Sequence, residues 1–200
     1  SLSTTLPESA TYVPDLQVHT CIFDATRISN NLALDNGNRS VAQTNSESLW
    51  KSVYATIGIT SGRHFYAFKI VNGGAQNCIM IGLGATVSLT STFYCGYGTD
   101  PGVSYYGHTG NKYYSNGNAQ FGETFTSGDI IGMLVNMDFR TVTFFKNGKL
   151  MGTAAGDDVI KPNTTYYPII SLYELGQMVV SLDITDNSNP TESCAIKRAI

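Results

Sequence analysis

Apolar and polar residues alternate along this chain with a period of two, in short runs broken by turn residues. Such alternation marks strands with one face buried. Between Trp50 and Ile59, Trp50, Ser52, Tyr54, Thr56 and Gly58 fall on one face. Val53, Ala55, Ile57 and Ile59 fall on the other. The same grammar predicts strands at Val18–Asp24, Leu32–Leu34, Arg39–Gln43, His64–Val71, Cys78–Leu83, Ile130–Asn136, Thr141–Phe145, Leu150–Thr153, Tyr166–Leu172 and Gln177–Leu182. From Gly84 to Asn118 the chain is dense in Gly, Tyr, Ser and Asn, and shorter strands are expected at Tyr94–Tyr97, Ser104–Tyr106 and Lys112–Tyr114. No helical period persists for the roughly 10–12 residues that would argue for a helix.

The sharpest local signal is Asn147-Gly148, set between the β-branched and aromatic run Thr141–Phe145 and Lys149–Thr153. Both residues tolerate positive φ, so the pair suits a two-residue hairpin turn. Many short strands at close spacing predict an all-β fold, a sandwich or closed barrel. The 200 residues fit one domain. Residues 1–17 read as an N-terminal arm, 18–183 as the domain, and 184–200 as a tail or edge segment.

Charge narrows the partners. Only 14% of residues are charged and the net charge is −3, without a basic block. Nucleic acid and anionic membrane are therefore not expected partners. No apolar run approaches the ~20 residues of a membrane helix, and no signal peptide is evident at the N-terminus. The 4 cysteines, Cys21, Cys78, Cys95 and Cys194, include no Cys-x-x-Cys pair. Buried free thiols in a reducing, intracellular setting (cytoplasm or nucleus) are expected.

Catalytic groups would have to converge within hydrogen-bond reach, and nothing in the sequence arranges them so. His19 and His64 sit in strands, where a structural role is expected; His108 sits in a Tyr-rich loop, where exposure is expected. Gly82-Leu83-Gly84 lacks the third glycine of a dinucleotide fingerprint, with Val87 in its place. No catalytic residue, metal site or cofactor is assigned. Tyr97, Tyr105, Tyr106, Tyr113 and Tyr114 crowd one region. Strand alternation splits each adjacent pair between faces, so one of Tyr105/Tyr106 and one of Tyr113/Tyr114 should point outward. An outward Tyr offers rigid area with a polar tip, as recognition surfaces do.

In order along the chain, four motifs resemble those of a SPRY domain. They are Ser52-Val53-Tyr54-Ala55 with Gly62 through Ile70; Ile81-Gly82-Leu83-Gly84; Phe125 through Gly132 with Phe144-Phe145-Lys146-Asn147-Gly148 and Gly152; and Tyr167-Pro168-Ile169-Ile170-Ser171. Two departures mark a divergent member: Tyr66-Ala67 replaces the family's Trp-Glu, and Ser181-Leu182-Asp183 replaces its closing Asn-Phe-Gly. The resemblance implies a bent antiparallel β-sandwich of concanavalin-like jelly-roll type. It also implies a non-catalytic, monomeric module that binds a protein or short peptide through loops at one end.

Ser104 through His108 and Phe121 through Asp129 resemble the Ran-binding-protein-M type of SPRY domain, whose members are ubiquitin-ligase scaffolds. Val41 through Thr44 and Asn111 through Tyr114 resemble the SPRY/SOCS-box type, which recruits targets to ubiquitin ligases by gripping a short Asn-rich peptide. Carried over by position, Ser40, Ala42, Tyr114 and the Tyr173–Gly176 loop would line that pocket. Leu175 stands where that branch has Trp, and Ser40 where it has Pro. With outward Tyr106 and His108 added, the candidate partner-binding set is Ser40, Ala42, Tyr106, His108, Tyr114, Tyr173, Leu175 and Gly176. The rival is a lectin-like carbohydrate binder, since jelly rolls also serve lectins.

Overall fold

The computed structural model describes residues 16–183 except 91, 116 and 157. The chain runs through β1 (Leu16–His19), β2 (Phe23–Ile28), β3 (Leu32–Asp35), β4 (Ser40–Gln43) and β5 (Lys51–Ala55). It continues through β6 (Arg63–Asn72), β7 (Ile79–Gly84), β8 (Val103–Tyr106), β9 (Lys112–Tyr114) and β10 (Gly117–Ala119). Last come β11 (Ile130–Asn136), β12 (Thr141–Lys146), β13 (Lys149–Ala155), β14 (Tyr167–Leu172) and β15 (Met178–Ser181). Among the described residues there is no helix.

The strands form two sheets. In space the first is ordered β13-β12-β11-β6-β15-β4-β3, with β1 added alongside β6. The second is ordered β10-β9-β8-β7-β14-β5-β2. All pairings are antiparallel except β1 with β6, where Val18 faces Phe65 and His19 faces Tyr66. Side chains of the two inner faces interlock, as sheet-on-sheet packing requires. Ile131, Met133, Val135 and Phe144 of the first sheet, and Ile79, Ile81, Tyr105 and Ile170 of the second, are fully buried in one cluster.

The expected hairpin is present. Asn147 (φ 49°) and Gly148 (φ 79°) both adopt positive φ, and Lys146 pairs with Lys149 across the turn. The Asn147 side chain also ties the turn to β11: its Oδ1 accepts from the Ile130 N–H at 2.8 Å, and its Nδ2 donates to Asp129 at 2.8 Å.

Three expectations need correction. Val18–Asp24 is not one strand, because the chain crosses there from the first sheet (β1) to the second (β2). β1 starts at Leu16, so two residues assigned to the arm join the sheet. Tyr94–Tyr97 is a turn: the Tyr97 N–H donates to the Tyr94 carbonyl at 3.0 Å. Gly96 holds φ 84° there, and a Cβ on it would lie 2.7 Å from the Tyr113 carbonyl oxygen. Cys21, Cys78 and Cys95 are free and buried; Cys194 and residues 184–200 lie outside the described residues.

Candidate functional site

The segment from Ala85 to Gly102 leaves β7 and folds as a strap over the outer face of the second sheet. Little regular pairing holds it, so side chains do the fastening. Asp100, near the end of the strap, is buried. Its Oδ1 accepts from the backbone N–H groups of Ala85 and Thr86, both at 2.9 Å, and its Oδ2 accepts from the Gly96 N–H at 3.1 Å. Ser171 on β14 accepts from the Cys95 N–H at 3.2 Å, and Ser104 on β8 donates to the Cys95 carbonyl at 2.8 Å. Tyr54 donates to the Val87 carbonyl at 2.7 Å, and burial pushes its phenol pKa up to about 12. Tyr54, Val87, Cys95 and Ile169 form a small second core under the strap.

The strap brings Phe93, Tyr94 and Tyr97 beside aromatic residues of the sheet. Trp50, just before β5, lies with its ring centroid 5.2 Å from Tyr94, 6.0 Å from Tyr106 and 5.1 Å from Tyr173. Tyr113 lies 5.6 Å from Tyr94 and 5.4 Å from Tyr106, nearly perpendicular to both. Tyr97 packs on Tyr94 at 5.1 Å and on Phe93 at 4.7 Å. A cleft of about 350 Å³ opens where Tyr94, Tyr97 and Tyr113 meet Tyr114, Gly117 and Asn118. The phenols of Tyr94 and Tyr106 are raised above the ordinary value, mainly by burial, so they stay protonated near neutral pH. The Cys78 thiol, which accepts from the Tyr106 hydroxyl at 3.2 Å, is also raised by burial.

The aromatic face runs into a rim of loops. Gln177 is fully buried and staples two of them. Its Oε1 accepts from the Tyr173 and Glu174 N–H groups at 2.7 and 2.9 Å, while its Nε2 donates to the Gly73 carbonyl at 2.9 Å. Glu174 in turn accepts from the Ala75 N–H at 2.7 Å. The Gly176 N–H donates to the Gln43 carbonyl at 2.9 Å, joining the end of β4. His108 pairs with the Gln76 carbonyl at 2.7 Å and lies 5.8 Å from the Tyr106 ring. Leu175 projects from this rim, 57% exposed.

Five of the eight candidates, Tyr106, His108, Tyr173, Leu175 and Gly176, therefore gather at one end. Ser40 and Ala42 flank the core residue Val41 on β4, so they point to the outer face of the first sheet. Tyr114 borders the cleft beside Tyr113, but its ring turns the other way. It packs on the core side of β9 with Lys112, whose Nζ donates to the Ala154 carbonyl at 3.0 Å. β9 and β4 occupy opposite flanks of the sandwich, so Tyr114 is not brought together with Ser40 and Ala42. Of the tyrosine pairs, Tyr105 and Tyr114 turn inward, and Tyr106 and Tyr113 join the aromatic face.

Sequence reasoning left out Trp50, Tyr94 and Tyr113 as site residues, and Asp100 and Gln177 as the residues that position them. The adjacent Tyr105-Tyr106 and Tyr113-Tyr114 pairs held part of that signal, since one member of each must face outward. Among the described residues, no three His, Cys, Asp or Glu side chains are grouped to hold a metal ion. No helix there is long and apolar enough to cross a membrane.

A two-sheet sandwich carrying an exposed aromatic face and a loop rim is built as an interaction domain. Residues 63–183 match the family model for the SPRY domain, and the chain belongs to the SPRY family, whose members are generally non-catalytic protein-interaction modules. Ran-binding protein 10 of Danio rerio is 34% identical over 131 residues, covering 64% of this chain and 21% of that protein. Ran-binding protein 9 of Homo sapiens is 34% identical over the same length, covering 64% of this chain and 17% of that protein. The chain thus spans about a fifth of the length of these curated relatives. The crystal structure of the SPRY domain of human HERC1 superposes with a TM-score of 0.67 at 24% identity, covering 82% of this chain and 99% of that one.

Proposed function

We propose that this domain binds a partner protein or short peptide through the loop rim and the aromatic face beside it. It serves there as the scaffold or target-recognition part of a ubiquitin-ligase complex. The observation that carries the reading is the convergence of Tyr106, His108, Tyr173 and Leu175 on one end, with Trp50 packed against Tyr106 and Tyr173. Rigid rings beside an exposed aliphatic side chain supply the few anchors on which binding energy concentrates. The likeness to the Ran-binding-protein-M type supports the ubiquitin-ligase setting. The free, buried thiols support an intracellular, reducing compartment. The pocket of the SPRY/SOCS-box type has less support, because Tyr114 lies apart from Ser40 and Ala42.

The test is affinity capture with mass spectrometry, followed by titration of the identified partner. His108→Ala combined with Leu175→Ala should weaken that partner by about 30-fold or more, the loss of one hot spot. The melting temperature should hold, since both side chains are exposed. Binding retained within about threefold would remove the rim from the interface.

A further inference from the structure

Four rings form an almost evenly stepped row on the outer face of the second sheet. From Tyr97 to Tyr94 the centroids are 5.1 Å apart, from Tyr94 to Trp50 5.2 Å, and from Trp50 to Tyr173 5.1 Å. Successive rings are tilted by 76°, 60° and 47°, so the row is corrugated. Alternate rings are at most about 10 Å apart, the sum of two such steps. Tyr106 and Tyr113 form its second bank.

Physical chemistry removes most ligands. The strands beneath, β8, β7, β14 and β5, are each paired on both sides, so a peptide cannot add here as a new strand. The cleft beside Tyr94, Tyr97 and Tyr113 is lined as much by Gly96, Gly98, Gly117 and Asn118 as by rings, so it is not the cage of ring faces that a quaternary ammonium needs. Nor, among the described residues, does a spare carboxylate stand by the row to balance a cation: Glu174 is turned to the Ala75 and Gln76 N–H groups. The polar atoms that remain include donors. The Trp50 indole N–H has no acceptor among the described residues and the Tyr94 phenol stays protonated, whereas the Tyr106 hydroxyl is already given to Cys78.

A left-handed polyproline helix fits what is left. Its period is three residues with a rise of about 3.1 Å, so one edge presents a proline about every 9 Å. That period falls within the upper bound of about 10 Å on alternate rings in the row. Its carbonyls are unpaired acceptors, and its prolines bring no N–H groups to be stranded on a donor-lined surface. It is also ordered before binding, which lowers the entropy cost.

We infer that the row Tyr97–Tyr94–Trp50–Tyr173 is a binding site for a proline-rich segment in the polyproline II conformation. The inference deepens the interaction role proposed above and rests on it. It names the chemistry of the partner.

Trp50 is the chain's single tryptophan, so its emission reports on this site directly. The experiment titrates the 200-residue chain with three probes: an oligoproline peptide of about ten residues, a Gly-Ser peptide of equal length, and a chito-oligosaccharide. Oligoproline should give a saturable change in emission and the Gly-Ser peptide none. Tyr173→Ala should weaken oligoproline about tenfold, as loss of one anchor ring does, while Tyr173→Phe, which keeps the ring, should bind within about threefold. Melting curves should show both variants folded. No saturable response to oligoproline, or an equal response to Gly-Ser, overturns the inference. A saturable response to the oligosaccharide alone overturns it and assigns the face to sugars. The two readings fail separately. A partner lost on changing His108 and Leu175, with oligoproline silent, keeps the rim and discards the polyproline site. Oligoproline bound by Trp50, with partner capture indifferent to the rim, does the reverse.

Discussion

Replacing Asp100 should loosen the strap before it disturbs either sheet. Asp100 is 3% exposed, and its carboxylate accepts three backbone N–H bonds from two turns of the strap. In Asp100→Ala all three donors lose their acceptor. An unsatisfied buried donor costs about 1–3 kcal/mol. Thr86 is exposed, so water relieves part of the loss, and we expect about 3 kcal/mol in total. Asp100→Asn keeps an oxygen for Ala85 and Thr86 but sets an amide N–H against that of Gly96. It should cost about 1 kcal/mol, one bond rather than three. At roughly 2–4 °C per kcal/mol for a domain of this size, the Ala variant should melt about 6–12 °C lower. Urea unfolding followed by Trp50 emission gives the free energies. Hydrogen exchange should show lost protection at Ala85, Thr86 and Gly96 before β11 or β12 is affected. An Ala variant within about 0.5 kcal/mol of the parent, the scatter of ordinary surface changes, would refute the assignment of Asp100 as the fastener.

Two further outcomes are expected. The His19 Nε2 and His64 Nδ1 lie 2.8 Å apart, and His64 Nε2 pairs with the Ser61 carbonyl, so the two rings share one hydrogen when both are neutral. Burial, and then the charge of His64, lower the His19 pKa from 6.5. The unfolded chain therefore takes up the proton first, and stability should fall as pH drops from about 6.5 through the lower folded value. The urea midpoint should decrease between about pH 7.5 and pH 5, and His19→Asn should flatten that slope; an unchanged slope would place the titration elsewhere. Asn147→Ala should cost about 2 kcal/mol in urea unfolding, losing the bond to Ile130 and straining φ 49°. Asn147→Gly should cost about half as much because it keeps the turn; equal costs would mean that positive φ is unimportant here.

Much of the fold was legible because its signals are local. Ile130–Asn136 appears as expected, since alternation needs only its own residues. Asn147-Gly148 turns the chain through a property of two adjacent residues. The strap was not legible. Its fasteners, Asp100, Ser104 and Ser171, bond backbone groups that no periodicity marks. β1 escaped for a related reason: four residues pair in parallel with a strand far along the chain.

The site divides in the same way. Alternation required one outward Tyr in each pair, and the register then decides which. Tyr113 faces Ser104 and Tyr114 faces Val103 across β8, and this puts Tyr113, not Tyr114, with the aromatic face. Trp50 could not be chosen from its own surroundings, because its three ring partners come from three distant segments.

The manner in which β1 and β15 share β6 also governs what can be attached to the domain. β1 takes the Arg63 end of one edge of β6, and β15 takes the Asn72 end of that edge. Leu16 lies beside Arg63, and the Leu182 N–H donates to the Ala67 carbonyl. First and last described strands thus abut one strand only about 13 Å apart, four residues of rise. Both connections lie toward the Arg63 end of β6, whereas the rim gathers at the Asn72 end. A host protein could carry this domain spliced into a surface loop, or on the end of a stalk, with the loop rim left clear. Residues 183 and 16 are likewise natural points to join when the chain is to be opened elsewhere.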